Sequence, residues 1–125
     1  MNNKVSVIIT SRNEADVIGE LILSLIRQTY QNIEIILVDN NSVDETVEIA
    51  KKSGVKVYNF GPERSAQRNF GASKSEGNYL LFLDADMKLE LRVVEECLEK
   101  MSRKEVGAII IPEVSFGEGF WEKVK

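Results

Sequence analysis

Short apolar runs, each closed by a polar cluster, recur along this chain with helix-periodic segments between them. Residues 5–10, 33–38, 55–60, 79–83 and 107–112 are rich in β-branched and large apolar side chains. Runs this brief and this continuous are the signature of strands buried on both faces of a parallel sheet. Between the first two, Val17, Leu21 and Leu25 recur every four residues alongside Ile18, Ile22 and Ile26, which predicts an amphipathic helix over about residues 15–28. Ser42-Val43-Asp44-Glu45 reads as a capping box, with Ser42 as N-cap of a second helix that Lys51, Lys52 and Gly54 close. Gly61-Pro62-Glu63 places proline where a third helix begins, and Gly77 marks its end. Leu91, Val94, Leu98 and Met101 line one face of a fourth.

Strand and helix alternate with short connections throughout. That order predicts one α/β domain over residues 1–125: a mainly parallel sheet with helices on both faces. Residues 117–125 are amphipathic and helix-capable without a stop signal, and Phe116, Phe120 and Trp121 gather aromatic surface there. Two readings stand for this tail. It is a short final helix covering the sheet edge, or it docks a partner or a second copy of a chain that reads as cut off.

Charge and composition narrow the chemistry. Sixteen Lys and Arg against 20 Asp and Glu leave a net charge of −4, which offers no field for a nucleic-acid backbone. There is no histidine, so the usual neutral-pH base and the commonest zinc ligand are both missing; proton transfer falls to carboxylates or lysine. Cys97 is the only cysteine, which rules out an internal disulfide, and it falls on the apolar side of the fourth helix as a small hydrophobe. The opening apolar stretch is too short for a signal peptide or a membrane span, so the expected compartment is the cytosol.

In open parallel sheets, ligands bind beyond the carboxyl ends of the strands, near the point where strand order reverses. Three of those ends are polar here: Thr10-Ser11-Arg12-Asn13-Glu14, Asp39-Asn40-Asn41-Ser42 and Asp84-Ala85-Asp86. Two carboxylates at the end of Leu80-Leu81-Phe82-Leu83 would repel each other unless a cation or hydrogen-bond donors offset them. Mg²⁺ or Mn²⁺, held by Asp84 and Asp86 and completed by ligand phosphates, is the economical answer; helix capping is the alternative. Asp39 is placed to accept hydrogen bonds from a base or ribose, whereas Asn40 and Asn41 read as turn residues. Arg12 and Glu14 serve a ligand or a capping box equally well. Arg64 and Arg68 share a helix face, with Asn69 beside them, and are able to meet phosphates or to form a solvated surface. No glycine-rich phosphate loop is present, which disfavours dehydrogenases and P-loop ATPases.

Taken together, the stretches 5–14, 38–44 and 77–86 resemble, in order, the opening strand, second motif and D-x-D strand of the family 2 glycosyltransferases. The resemblance covers nearly the whole chain. It implies a Rossmann-like GT-A fold, specifically its nucleotide-sugar-binding half, truncated before the acceptor half. It further implies inverting transfer of a sugar from a nucleoside diphosphate sugar to a saccharide, lipid-linked or protein acceptor. Thr10, Arg12 and Glu14 would border the nucleotide, Asp39 would meet the base, and Asp84 with Ala85 and Asp86 would serve the ribose and the metal. The segment containing Arg64 and Arg68 would lie near the diphosphate. By the same resemblance the catalytic base belongs to a later acidic motif, beyond residue 125, and neither Glu113 nor Glu118 is assigned it. Lys88 stands where some relatives have a further metal ligand. Members often act on lipid-linked polymers, so peripheral membrane association is compatible with this reading. The rival readings are a nucleotidyltransferase and a non-catalytic nucleotide-binding or protein-interaction module.

Overall fold

Every residue of β1 (Val5–Ser11) is buried, because this strand lies at the centre of the sheet and carries helices on both faces. The computed structural model describes residues 3–103, 108–110 and 122–124. After β1 come α1 (Ile18–Ile26), β2 (Ile33–Asp39), α2 (Thr46–Lys52), β3 (Lys56–Asn59), α3 (Arg64–Lys74), β4 (Tyr79–Asp84), α4 (Val93–Arg103), β5 (Ala108–Ile110) and β6 (Glu122–Val124). They form a six-stranded sheet of order β3-β2-β1-β4-β5-β6. Pairing is parallel except between β5 and β6. Strand order therefore reverses between β1 and β4, and the crevice at that reversal is where an α/β sheet offers a ligand site. Among the described residues no helix is long and apolar enough to cross a membrane.

The pleat of β1 divides the core. Val5, Val7 and Ile9 pack with Leu21, Ile22 and Leu25 of α1, Ala50 of α2, and Val93, Val94 and Cys97 of α4. Ile8 points to the opposite face, where it joins Ile36, Val38 and Phe70 of α3, as the two-residue period of a strand requires. Full burial of each such Val, Leu or Ile contributes about 1.5–3 kcal/mol. Helix α3 lies unusually close to this face because Gly71 has no side chain. A Cβ at Gly71 would come within 2.6 Å of Ile8 Cγ2 and 3.1 Å of Val38 Cγ2.

Several sequence expectations are corrected. Helix α1 begins at Ile18, not near residue 15, because Glu14 N–H and Ala15 N–H donate to Thr46 Oγ1 and Asp44 Oδ2 instead of entering a helix. Its apolar stripe is also narrower, since Ile26 is half exposed. Ser42 does not cap α2, which starts after Glu45; its hydroxyl bonds Asp39, and Asp44 Oδ1 accepts the Thr46 N–H. Pro62 precedes α3 by two residues, with Glu63 at the N-cap. Gly77 does not end that helix, which stops at Lys74. It enters β4 where a Cβ would lie 2.8 Å from Lys4 O. Leu91 lies before α4 and is exposed.

At the carboxyl end, Glu122–Val124 pairs with β5 as a strand, so these residues are not part of a final helix. An antiparallel partner satisfies the open edge of β5 directly, which a helix would not. The aromatic cluster of Phe116, Phe120 and Trp121, the carboxylates Glu113 and Glu118, and the remainder of the predicted strand at 107–112 lie outside the described residues.

Candidate functional site

The strand register brings the polar ends together. Thr10 pairs with Asp84 across β1 and β4, and Ser11 pairs with Asp39 across β1 and β2. Above these ends lies a cleft of about 300 Å³ lined by Thr10, Arg12, Glu14, Arg64, Asp84 and Asp86, with Ala85 forming part of its wall. These are seven of the nine residues singled out from sequence; Asp39 and Arg68 do not line it. A larger groove of about 650 Å³ runs beside α1 with Leu23, Leu89 and Leu91 in its wall. It contains none of the nine, so the smaller, polar cleft is the candidate site.

Asp84 is flanked by two arginines. Arg64 approaches its Oδ2 at 3.6 Å and Arg68 its Oδ1 at 3.7 Å. Both distances are too long for hydrogen bonds, so the arginines offset the carboxylate by charge alone. Asp84 Oδ1 is buried and accepts no hydrogen bond. Asp86, two residues on, is exposed, and the backbone between them turns so that Met87 N–H returns to Asp84 O. Lys88 pairs with Glu20 of α1 at 3.5 Å and lines the larger groove, not the cleft.

Glu14 completes an acidic rim. Burial raises its pKa first and the Asp86 carboxylate second; Arg64 pulls the other way, while Asp44 and Asp84 add further repulsion. Burial is the larger cause, but the repulsion from Asp86, Asp44 and Asp84 marks a cluster of negative charge on this rim, which favours a cation. Among the described residues no group of three or more carboxylate, thiol or imidazole side chains converges to hold a metal unaided. Asp84 with its open Oδ1 and Asp86 beside it suit an ion that takes its remaining oxygen ligands from phosphates.

Asp39 is buried at 1% exposure. Its Oδ1 accepts from Ser11 Oγ and Ser42 Oγ, both at 2.6 Å, and its Oδ2 accepts from Ser42 N–H at 2.8 Å. This carboxylate organises the loop after β2. The loop is also tied to the one after β1: Asn13 N–H donates to Ser42 Oγ at 2.7 Å and Val43 N–H donates to Asn13 Oδ1 at 2.8 Å. Asn13 and Asn41 both adopt positive φ, 54° and 52°, so the turn role expected for Asn41 holds and Asn13 shares it.

The cleft is also lined by Ser11, Asn40, Pro62 and Gln67, for which the sequence reading held no individual site role. Gln67 is buried in α3, and its amide donates to Val38 O at 2.8 Å and Ser11 O at 3.3 Å, locking the helix onto two strand ends. Its signal was present in the spacing. Gln67 and Gly71 are the buried residues of α3, four apart on one face, and a glycine one turn from a polar residue marks a helix pressed against backbone.

Known proteins share this sequence pattern and this fold. The family model described as glycosyl transferase family 2 matches residues 6–125. An uncharacterized glycosyltransferase of Haemophilus influenzae is 40% identical over 91 residues, spanning 66% of this chain and 36% of that protein. A cholesterol galactosyltransferase of Borreliella burgdorferi is 37% identical over 100 residues, 74% of this chain and 27% of its own. The chain thus spans well under half the length of these relatives. The crystal structure of S. aureus TarS residues 1–349 in complex with UDP-GlcNAc superposes with a TM-score of 0.73 at 27% identity, over 82% of this chain and 32% of that one.

Proposed function

The chain belongs to glycosyl transferase family 2, and on that premise we propose that its cleft binds a nucleoside diphosphate sugar whose sugar passes, with inversion, to an acceptor. The observation that carries this reading is the meeting of Asp84, Asp86, Glu14 and Arg64 in one cleft at the reversal of strand order. Likeness to a protein crystallised with UDP-GlcNAc supports the same ligand class.

In this reading Asp84 and Asp86 would hold Mg²⁺ or Mn²⁺. Such an ion would neutralise the charge that grows on the departing diphosphate. The guanidinium groups of Arg64 and Arg68, already beside Asp84, supply charge-assisted hydrogen bonds to the same phosphate oxygens. Thr10, Arg12 and Ala85 wall the nucleotide side. The resemblance assigns Asp39 to the base; its carboxylate, bonded to Ser11 and Ser42, keeps the neighbouring loop in order. The acceptor hydroxyl must also lose its proton to a base, a role assigned to none of the carboxylates in this cleft.

Calorimetric titration with UDP, GDP and dTDP, with and without Mn²⁺, tests the proposal. Metal-dependent binding of one of them, lost in Asp86→Ala with the circular dichroism unchanged, is the expected result. Equal binding by the variant would overturn the metal assignment, and binding of none would overturn the donor site.

A further inference from the structure

We infer that Arg64 and Arg68 screen Asp84 against a cation until a diphosphate draws them off, so that cation and diphosphate enter the cleft as a coupled pair. The inference rests on the donor-binding reading above and adds to it an order of events and a sign. Asp84 is only 17% exposed, yet neither arginine hydrogen-bonds it: the contacts are 3.6 and 3.7 Å, and Oδ1 is buried with its acceptor capacity unused. A buried carboxylate oxygen without a donor is costly, and here the Arg68 guanidinium, 3.7 Å from Oδ1, offsets it by charge alone. Arg64 is 59% and Arg68 36% exposed, and loose pairs with that much solvent contribute little stability.

A divalent cation arriving alone must displace, or sit beside, two guanidinium groups on the carboxylate it needs. Its net attraction to Asp84 is correspondingly reduced. A diphosphate changes the balance in two ways. It would offer the arginines oxygen acceptors for charge-assisted hydrogen bonds, and it would supply oxygen ligands beyond those of the two aspartates. Moving the arginines from Asp84 to the phosphates would remove the positive charge that an ion at Asp84 must face. Each ligand therefore raises the affinity for the other, and the coupling is reciprocal.

The two effects have opposite signs in one variant, which separates this device from a merely structural role. In Arg64→Gln/Arg68→Gln, Mn²⁺ alone should bind about threefold tighter or better, while UDP or GDP with Mn²⁺ should bind about tenfold more weakly. Arg64→Lys/Arg68→Lys retains the charge and should keep Mn²⁺ affinity near that of the wild type. Mn²⁺ binding is read by electron paramagnetic resonance of the free ion, nucleotide binding by calorimetry, and folding by thermal melting. Unchanged or weaker Mn²⁺ binding in the glutamine variant would overturn the inference, as would independent binding of metal and nucleotide to the wild type. If the wild type binds no nucleotide, the donor-binding reading falls separately, since the Mn²⁺ titrations alone report whether the arginines screen Asp84.

Discussion

The Lys56 ammonium lies 2.8 Å from Glu34 Oε1, at the amino end of the sheet opposite the cleft. Glu34 is also the acceptor for Ser6 Oγ and for Glu76 N–H, and Ser6 Oγ in turn accepts from Gly77 N–H. One buried carboxylate therefore joins β1, β2, β3 and the turn into β4.

Burial by itself would push the Glu34 pKa up, but Glu76 N–H, the Lys56 ammonium and the Ser6 hydroxyl together bring it down to about 2 from 4.5. A carboxyl depressed on folding stabilises the protein above its unfolded pKa, and that stability is lost as pH falls through the folded value. The expected contribution is about 3 kcal/mol at neutral pH, fading between about pH 4.5 and 2. Thermal melts of wild type and Glu34→Gln should differ widely at pH 7 and converge near pH 2. A gap that stays constant with pH would show that Glu34 acts through packing alone.

How much of this was legible beforehand follows from the range of each interaction. The strands and the D-x-D end were readable because a buried parallel strand writes itself as a continuous apolar run, with its polar residues at the exit. Arg64 and Arg68 were readable as a pair because helical spacing is local. The seating of Asp39 was not, since Ser11, which takes part of its carboxylate, lies on another strand. Ser42 looked like a cap for the same reason: its true partners include Asn13, a whole helix away in sequence. The start of α1 was misplaced because Thr46 and Asp44 claim N–H groups that local pattern assigns to the helix.

Gly71 carries the close approach of α3 to the sheet. Gly71→Ala forces a Cβ to within 2.6 Å of Ile8 Cγ2, so α3 must lift or Ile8 must change rotamer, at a cost of about 1–3 kcal/mol. Arg64, Arg68 and Gln67 ride on the same helix. Urea unfolding should show the loss of stability, and nucleotide binding should weaken at temperatures where the variant remains folded. A variant as stable as the wild type would mean that the helix has room it does not show.

Cys97 tests the core on the other face. Burial, with help from Glu96, raises its thiol pKa to about 12. The thiolate is the reactive form, so a disulfide reagent such as dithionitrobenzoate should label the native chain slowly and the urea-unfolded chain at once. Rapid labelling of the native chain would place α4 differently on the sheet.

Glu14 sets stability against binding. Its pKa is raised by burial and by Asp86, and a carboxyl raised on folding imposes no penalty at low pH but destabilises the fold as pH rises through the folded value. Glu14→Gln should therefore melt higher than the wild type at pH 7, with the advantage disappearing below about pH 4, where the carboxyl is protonated in both states. The same substitution removes one of the negative groups that draw a cation to Asp86. Mn²⁺-dependent nucleotide binding should weaken as the melting temperature rises, the trade expected where a cleft keeps repulsive charges for its ligand. If the variant melts higher and binds equally well, Glu14 belongs to the loop and not to the site.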